Sequence, residues 1–166
     1  DTYGLAGAEV CLTDACTPAT VRLSGAETAR VVSDAPDAPL PISGGACNTG
    51  SGIARTFPVT ESFTLGQVNV GFSAAHPHRD DLDVTLIAPS GTSVRLLTDD
   101  GLNGTAFRHY NVWLDDTANG PYAFRADDTA EMTFARSARP AAPLAAFIGE
   151  EAAGDWQLVI CDRAPT

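Results

Sequence analysis

Lysine is absent. The ten basic residues are all arginine, set against 21 acidic ones, for a net charge of −11. Without lysine the chain forms neither a Lys–Asn isopeptide cross-link nor a lysine Schiff base. An acidic balance of this size argues against nucleic acid and anionic membrane surfaces as partners. It suits divalent cations, and equally a plainly soluble surface. No apolar run approaches the length needed to cross a bilayer, so no membrane insertion is expected. The first residues do not read as a signal peptide, which a mature secreted chain would have lost. Aromatics make up only 7% of the chain, and no row of them offers a platform for sugar rings.

Catalytic signatures are missing too. There is no GxSxG, HExxH, P-loop or GxGxxG pattern. The glycine-rich stretch 44–52 is followed by no lysine and no helix to aim at a phosphate. The three histidines are His76, His78 and His109. His76 and His78 flank a proline in "AAHPHRDDLD", which reads as a polar turn entering a strand in preference to a metal site. The chain is therefore expected not to be an enzyme.

What is present is strand. A length of 166 residues makes about one domain. Short alternating segments recur at 8–12, 20–23, 28–32, 55–59, 67–72, 82–87, 93–97, 107–114, 131–134 and 156–161. Turn residues separate them, as in "APSGT" and "DDGLNGT", and the pattern predicts an all-β sandwich. Only 143–148 suits a helical turn, and 33–52 reads as a Pro/Gly-rich tether. The four cysteines, Cys11, Cys16, Cys47 and Cys161, form no CxxC pair. Their even number in such a chain predicts two disulfides and an oxidising, extracellular compartment. Three pairings are open: Cys11–Cys161 with Cys16–Cys47, Cys11–Cys16 with Cys47–Cys161, and Cys11–Cys47 with Cys16–Cys161.

Carboxylates cluster beside the strand ends, among them Asp80, Asp81 and Asp83, Asp115 and Asp116, Glu150 and Glu151, and Asp162. Several oxygens at loop tips are what a hard cation such as calcium requires, although no EF-hand spacing is present.

From about residue 60 the chain resembles the P domain (P/Homo B domain) that follows the catalytic domain in proprotein convertases and many bacterial subtilisin-like proteases. Three ordered stretches carry the resemblance: "SFTLGQVNVGFSAAHPHRDDLDVTLIAPSGTSVRLL", "NVWLDDTA" and "PLAAFIGEEAAGDWQLVICD". It implies a β jelly roll with no catalytic residues of its own and, often, bound calcium. The positions it marks as calcium ligands are Asp81, Asp115, Asp116, Glu150 and Asp162.

The family's closing strand has no counterpart after "CDRAPT". The opening residues "DTYGLAGAEVCL" resemble it instead, with Ala8, Val10 and Leu12 on one face. Residues 1–12 are therefore expected to act as a donor strand that pairs with 156–161. Residues 13–54 would be a connector with one possible hairpin, and 55–166 the jelly-roll β-sandwich. In cis this is a permuted monomer. In trans it is strand addition between copies, a head-to-tail homopolymer. The leading expectation is a secreted, calcium-stabilised, non-catalytic subunit that assembles into an extracellular filament. The alternatives are an accessory domain of a secreted protease or exoenzyme, and a monomeric surface-adhesion module.

Overall fold

The computed structural model describes residues 8–11, 16–24, 29–33, 47, 52–76, 81–98, 109–121 and 136–163. Among them, ten strands form two sheets. The larger sheet has the order β1-β2-β5-β8-β9, with β3 also paired to β2. Its strands are β1 (Ala8–Cys11), β2 (Cys16–Ser24), β3 (Ala29–Ser33), β5 (Gln67–Ala75), β8 (His109–Leu114) and β9 (Arg136–Ala138). The smaller sheet has the order β4-β10-β6-β7. It is built from β4 (Ile53–Val59), β10 (Gly154–Asp162), β6 (Leu82–Ile87) and β7 (Ser93–Leu97). A 3₁₀ turn spans Leu144–Phe147, inside the segment that suited a helical turn. The all-β sandwich is the fold that the alternating pattern predicts. The expected strand at 131–134 lies outside the described residues.

The core is the inward half of each alternation. Val21, Leu23, Val68, Val70, Val112 and Leu114 of the large sheet are buried, as are Phe57, Leu86, Leu96, Trp156, Leu158 and Ile160 of the small one. Removing such side chains from water supplies the main driving force, about 1.5–3 kcal/mol for each large one. Trp156 is fully buried, stacks edge-on to Phe147 with centroids 5.1 Å apart, and donates its indole N–H to the Ala152 carbonyl at 2.9 Å. Gly154 opens β10 with φ +122°. A Cβ there would fall 2.6 Å from Cβ of Pro89 in the "APSGT" turn, so only glycine lets the two segments close.

The expected partner of the C-terminal strand is corrected. β10 is flanked on both sides within the chain, by β4 and by β6. β1 lies in the other sheet, where Ala8 faces Ala19 and Val10 faces Thr17 of β2. Leu12 lies outside the described residues. The physical reason is strand length and bulk. β4 matches β10 over seven residue pairs, with Phe57 opposite Trp156, whereas "AEVCL" offers five residues with only small and medium apolar side chains. The N-terminal region still completes the sandwich in cis, by another route. Thr20–Ser24 of β2 lie beside β5, and Val21 and Leu23 enter the core. The stretch expected to be a connector thus contributes two strands, β2 and β3, which form the anticipated hairpin.

One disulfide is described, Cys47–Cys161, joining the tether to the middle of the small sheet across 114 residues of sequence. With Cys161 so occupied, the pairings Cys11–Cys161 and Cys16–Cys161 do not form. Cys11 and Cys16 are register partners on β1 and β2.

Candidate functional site

The carboxylates divide between two opposite ends of the sandwich. β10 shows why. Glu150 precedes its first residue and Asp162 is its last. Eight residue steps along an extended strand at ~3.3 Å each put Gly154 and Asp162 about 26 Å apart. The five expected calcium ligands therefore do not share one site.

At the first end are Asp115, Asp116, Glu150 and Glu151, and their oxygens are largely taken up by the fold. Pro143 sits at the N-terminus of the 3₁₀ turn and has no side chain able to cap it. Asp116 does this from 28 residues away, accepting the Leu144 N–H on Oδ1 at 2.9 Å and the Ala145 N–H on Oδ2 at 2.7 Å. Asp115 accepts both the N–H and the hydroxyl of Thr117 on Oδ1, each at 2.7 Å. Glu150 takes the hydroxyls of Ser90 at 2.7 Å and Thr92 at 2.5 Å, holding the turn between β6 and β7. Glu151 accepts the N–H groups of Phe63 at 2.9 Å and Ala153 at 3.1 Å and the Ser62 hydroxyl at 3.1 Å. Two adjacent glutamates thus tie the lead-in to β5 and the β6–β7 turn to the start of β10. They are anchors before they are ligands.

These hydrogen bonds carry a pH consequence. The Ala153 N–H, followed by Ser62, Phe63 and Ala152, holds the Glu151 carboxyl below its ordinary 4.5, against a smaller opposing effect of desolvation. A carboxyl whose folded value is depressed stabilises the fold above its unfolded value, and that contribution disappears as pH falls through the folded one. Stability is therefore expected to decline as pH drops below about 4.5, and Glu151→Gln should flatten that part of the profile. Urea midpoints measured between pH 3 and 7 check this; an unchanged profile in the variant would exclude the Glu151 contribution.

At the second end are His76, Asp81, Asp83, Asp162 and Arg163. Asp83 and Asp162 are 7% and 5% exposed. His76 Nε2 lies 3.4 Å from Asp162 Oδ2, and Arg163 Nε lies 3.5 Å from Asp83 Oδ1. The Arg163 backbone N–H donates to the Asp81 carbonyl at 2.9 Å, so β10 ends against the start of β6. Asp83 Oδ1 is buried, and the arginine contact is an ion pair without hydrogen-bond geometry, so among the described residues this oxygen finds no hydrogen-bond donor. A buried carboxylate oxygen in that condition suits a hard cation. Calcium takes six to eight oxygens, however, and among the described residues no group of three or more His, Cys, Asp or Glu side chains gathers as a metal cage. Of the five expected ligands, Asp81 and Asp162 are the two brought to this end, and Asp83 joins them.

Asp83 stands in the sequence among the clustered carboxylates of "RDDLD", though the resemblance does not mark it as a ligand. The pairing of His76 with Asp162 was not visible, because it depends on β5 and β10 ending side by side across two sheets. His78 lies outside the described residues.

The family model of the proprotein convertase P-domain matches residues 65–166. No curated protein and no solved structure matches the chain. P domains are non-catalytic accessory domains found in secreted subtilisin-like proteases. The match runs from the lead-in to β5 through β10, taking in both sheets and both acidic ends, and the chain belongs to the P-domain family.

Proposed function

We propose that this chain is the non-catalytic accessory domain of a secreted subtilisin-like protease, folding beside the catalytic domain and supporting it. The observation that carries the reading is the use of the acidic residues at the first end. Asp116, Glu150 and Glu151 accept backbone N–H and hydroxyl groups that tie the 3₁₀ turn, the β6–β7 turn and the lead-in to β5 to the rest of the sandwich. This is the chemistry of a rigid support. A disulfide between Cys47 and Cys161 favours an oxidising, extracellular setting. No helix among the described residues is long and apolar enough to cross a membrane.

The test is the coding sequence and its product. The reading expects a subtilisin-like catalytic domain in the same polypeptide, and loss of secreted proteolytic activity when this domain is deleted. A polypeptide without a protease domain that forms threads at native concentration would instead favour the filament. That alternative has less support, because β4 and β6 fill the β10 edges that a donated strand was expected to occupy.

Calcium belongs to the same proposal, at the second end, where it would take the buried Asp83 Oδ1, with backbone carbonyls and water filling its remaining positions and Arg163 as the competing cation. The ion would supply charge compensation to Asp83 and hold the ends of β6 and β10 together. Saturating calcium is expected to stabilise by RT ln(1 + [L]/Kd), about 2.7 kcal/mol at a hundredfold excess over Kd. Melting with calcium and with chelator measures it, and Asp83→Asn should abolish the difference. Identical melting in both buffers removes calcium from the account.

A further inference from the structure

Cys47 and Cys161 are bonded to each other, which leaves Cys11 and Cys16 of the four cysteines. These two are register partners, Cys11 closing β1 and Cys16 opening β2. Residues directly opposite in an antiparallel pair share a face and stand about 4.5–5.5 Å apart at Cα. That lies inside the range of about 4.4–6.8 Å that a disulfide spans. A bond here would close a ring of only six residues, Cys11 to Cys16, against the 114-residue separation of the other pair.

The two pairs stand in different mechanical settings. Cys161 is 4% exposed and belongs to β10, which is laddered to β4 on one side and to β6 on the other. A reagent reaches its sulfur only by opening the small sheet. β1 is four residues long, and among the described residues its one ladder partner is β2. Glu9 falls opposite Pro18, which has no N–H to give to a ladder. The other pairs, Ala8 with Ala19 and Val10 with Thr17, bring only small and medium side chains. A short two-stranded ladder is marginal in water. β1 therefore belongs to the low-stability end of the molecule, where local opening precedes global unfolding.

We propose that Cys11 and Cys16 form a second disulfide that works as a redox latch. Oxidised, it fixes β1 to β2; reduced by an external dithiol, it releases β1 while Cys47–Cys161 stays closed. The dithiol is the only co-reactant needed. One of its thiolates attacks a sulfur of the pair, and the Cys11–Cys16 bond breaks as a mixed disulfide forms. Its second thiol then displaces the remaining protein sulfur. The dithiol leaves as its own disulfide, and two electrons and two protons stay on Cys11 and Cys16. Closing so short a ring costs little chain entropy, so an oxidant resets the latch. Release leaves residues 16–19 of β2 without the partner strand β1. The latch does not depend on the accessory-domain reading, since β1 and β2 precede the family-matched residues 65–166.

The test is differential alkylation of the folded chain. The protein is equilibrated with oxidised glutathione, exposed to graded dithiothreitol without denaturant, alkylated and mapped by mass spectrometry. Cys11 and Cys16 are expected to start unlabelled. They should then become labelled together, about tenfold or more faster than Cys47 and Cys161, because one pair needs local opening and the other needs the sheet to open. Amide exchange at 8–11 and 16–19 should accelerate in step, with 53–59 and 154–162 unchanged. The double variant Cys11→Ser, Cys16→Ser should show the same fast exchange with no reductant present, which separates the latch from any action of the reagent on the long bond. Labelling of Cys11 and Cys16 before reductant overturns the bond. One common rate for all four cysteines overturns its selective release. Unchanged exchange at 8–11 after selective reduction, or in the double variant, overturns the latch.

Discussion

Trp156→Ala should be the most damaging single substitution in the small sheet. The indole is fully buried in β10, opposite Phe57 and edge-on to Phe147. Truncation removes the largest apolar side chain in the core and leaves a cavity that two β-strands and a 3₁₀ turn cannot close, at a cost of about 3–5 kcal/mol. It also strips the Ala152 carbonyl of its indole donor. Against a typical margin of about 5–15 kcal/mol this is a large share of total stability. Trp156→Phe separates the two losses. It keeps most of the packing and gives up the hydrogen bond, so it should cost about 1–3 kcal/mol. Urea unfolding followed by circular dichroism gives both numbers. A Phe variant as unstable as the Ala variant would mean that the Ala152 contact, and not packing, dominates at this position.

That prediction draws on the part of the molecule most legible in its sequence. The alternation of Trp156, Leu158 and Ile160 marks a half-buried strand from local pattern alone, and 82–87 and 93–97 coincide with β6 and β7. Local pattern does not say which strand lies beside which. "AEVCL" and "IARTFPV" both alternate, so alternation alone does not choose between them as neighbours of β10. The choice falls to burial of Phe57 and Val59 over a seven-pair ladder, a property of the pair and not of either strand. The hairpin expected within the connector is present, and what local pattern leaves open is its neighbour. Val21 and Leu23 sit in a short segment between polar stretches, and their place beside β5 follows only from long-range pairing.

The acidic residues show the same limit in another form. Their concentration at strand ends was readable, and their convergence was not. Glu150 and Asp162 bracket a single strand, so counting its residues already separates them by the length of the sandwich. Asp116 is harder to anticipate. Its role depends on Pro143 standing where a capping side chain would otherwise be, and on β8 ending within reach of the 3₁₀ turn.

Cys47→Ser should have the second large effect, and it acts mainly on the unfolded chain. The Cys47–Cys161 bond closes a loop of 114 residues. In the chain-entropy account a loop of about a hundred residues is worth about 4.7 kcal/mol, and removing native disulfides from small domains costs about 2–5 kcal/mol. Cys47 is the better position to change. It is half-buried, whereas Cys161 is 4% exposed, and a serine there would bury a hydroxyl. The remaining Cys161 thiol behaves as a small buried hydrophobe. The tether should loosen first. Gly52 already lies so close to β10 that a Cβ would fall 2.8 Å from the Ile160 carbonyl oxygen, so the lead-in to β4 is held by the bond at Cys47 and by this contact. Chemical denaturation with and without reductant gives the decisive comparison. The native protein should lose several kcal/mol in reductant, and Cys47→Ser should lose far less, because any further bond between Cys11 and Cys16 on the β1–β2 hairpin closes only a short loop. Equal losses in the two proteins would place the redox-sensitive stability in the hairpin and leave the long tether thermodynamically idle.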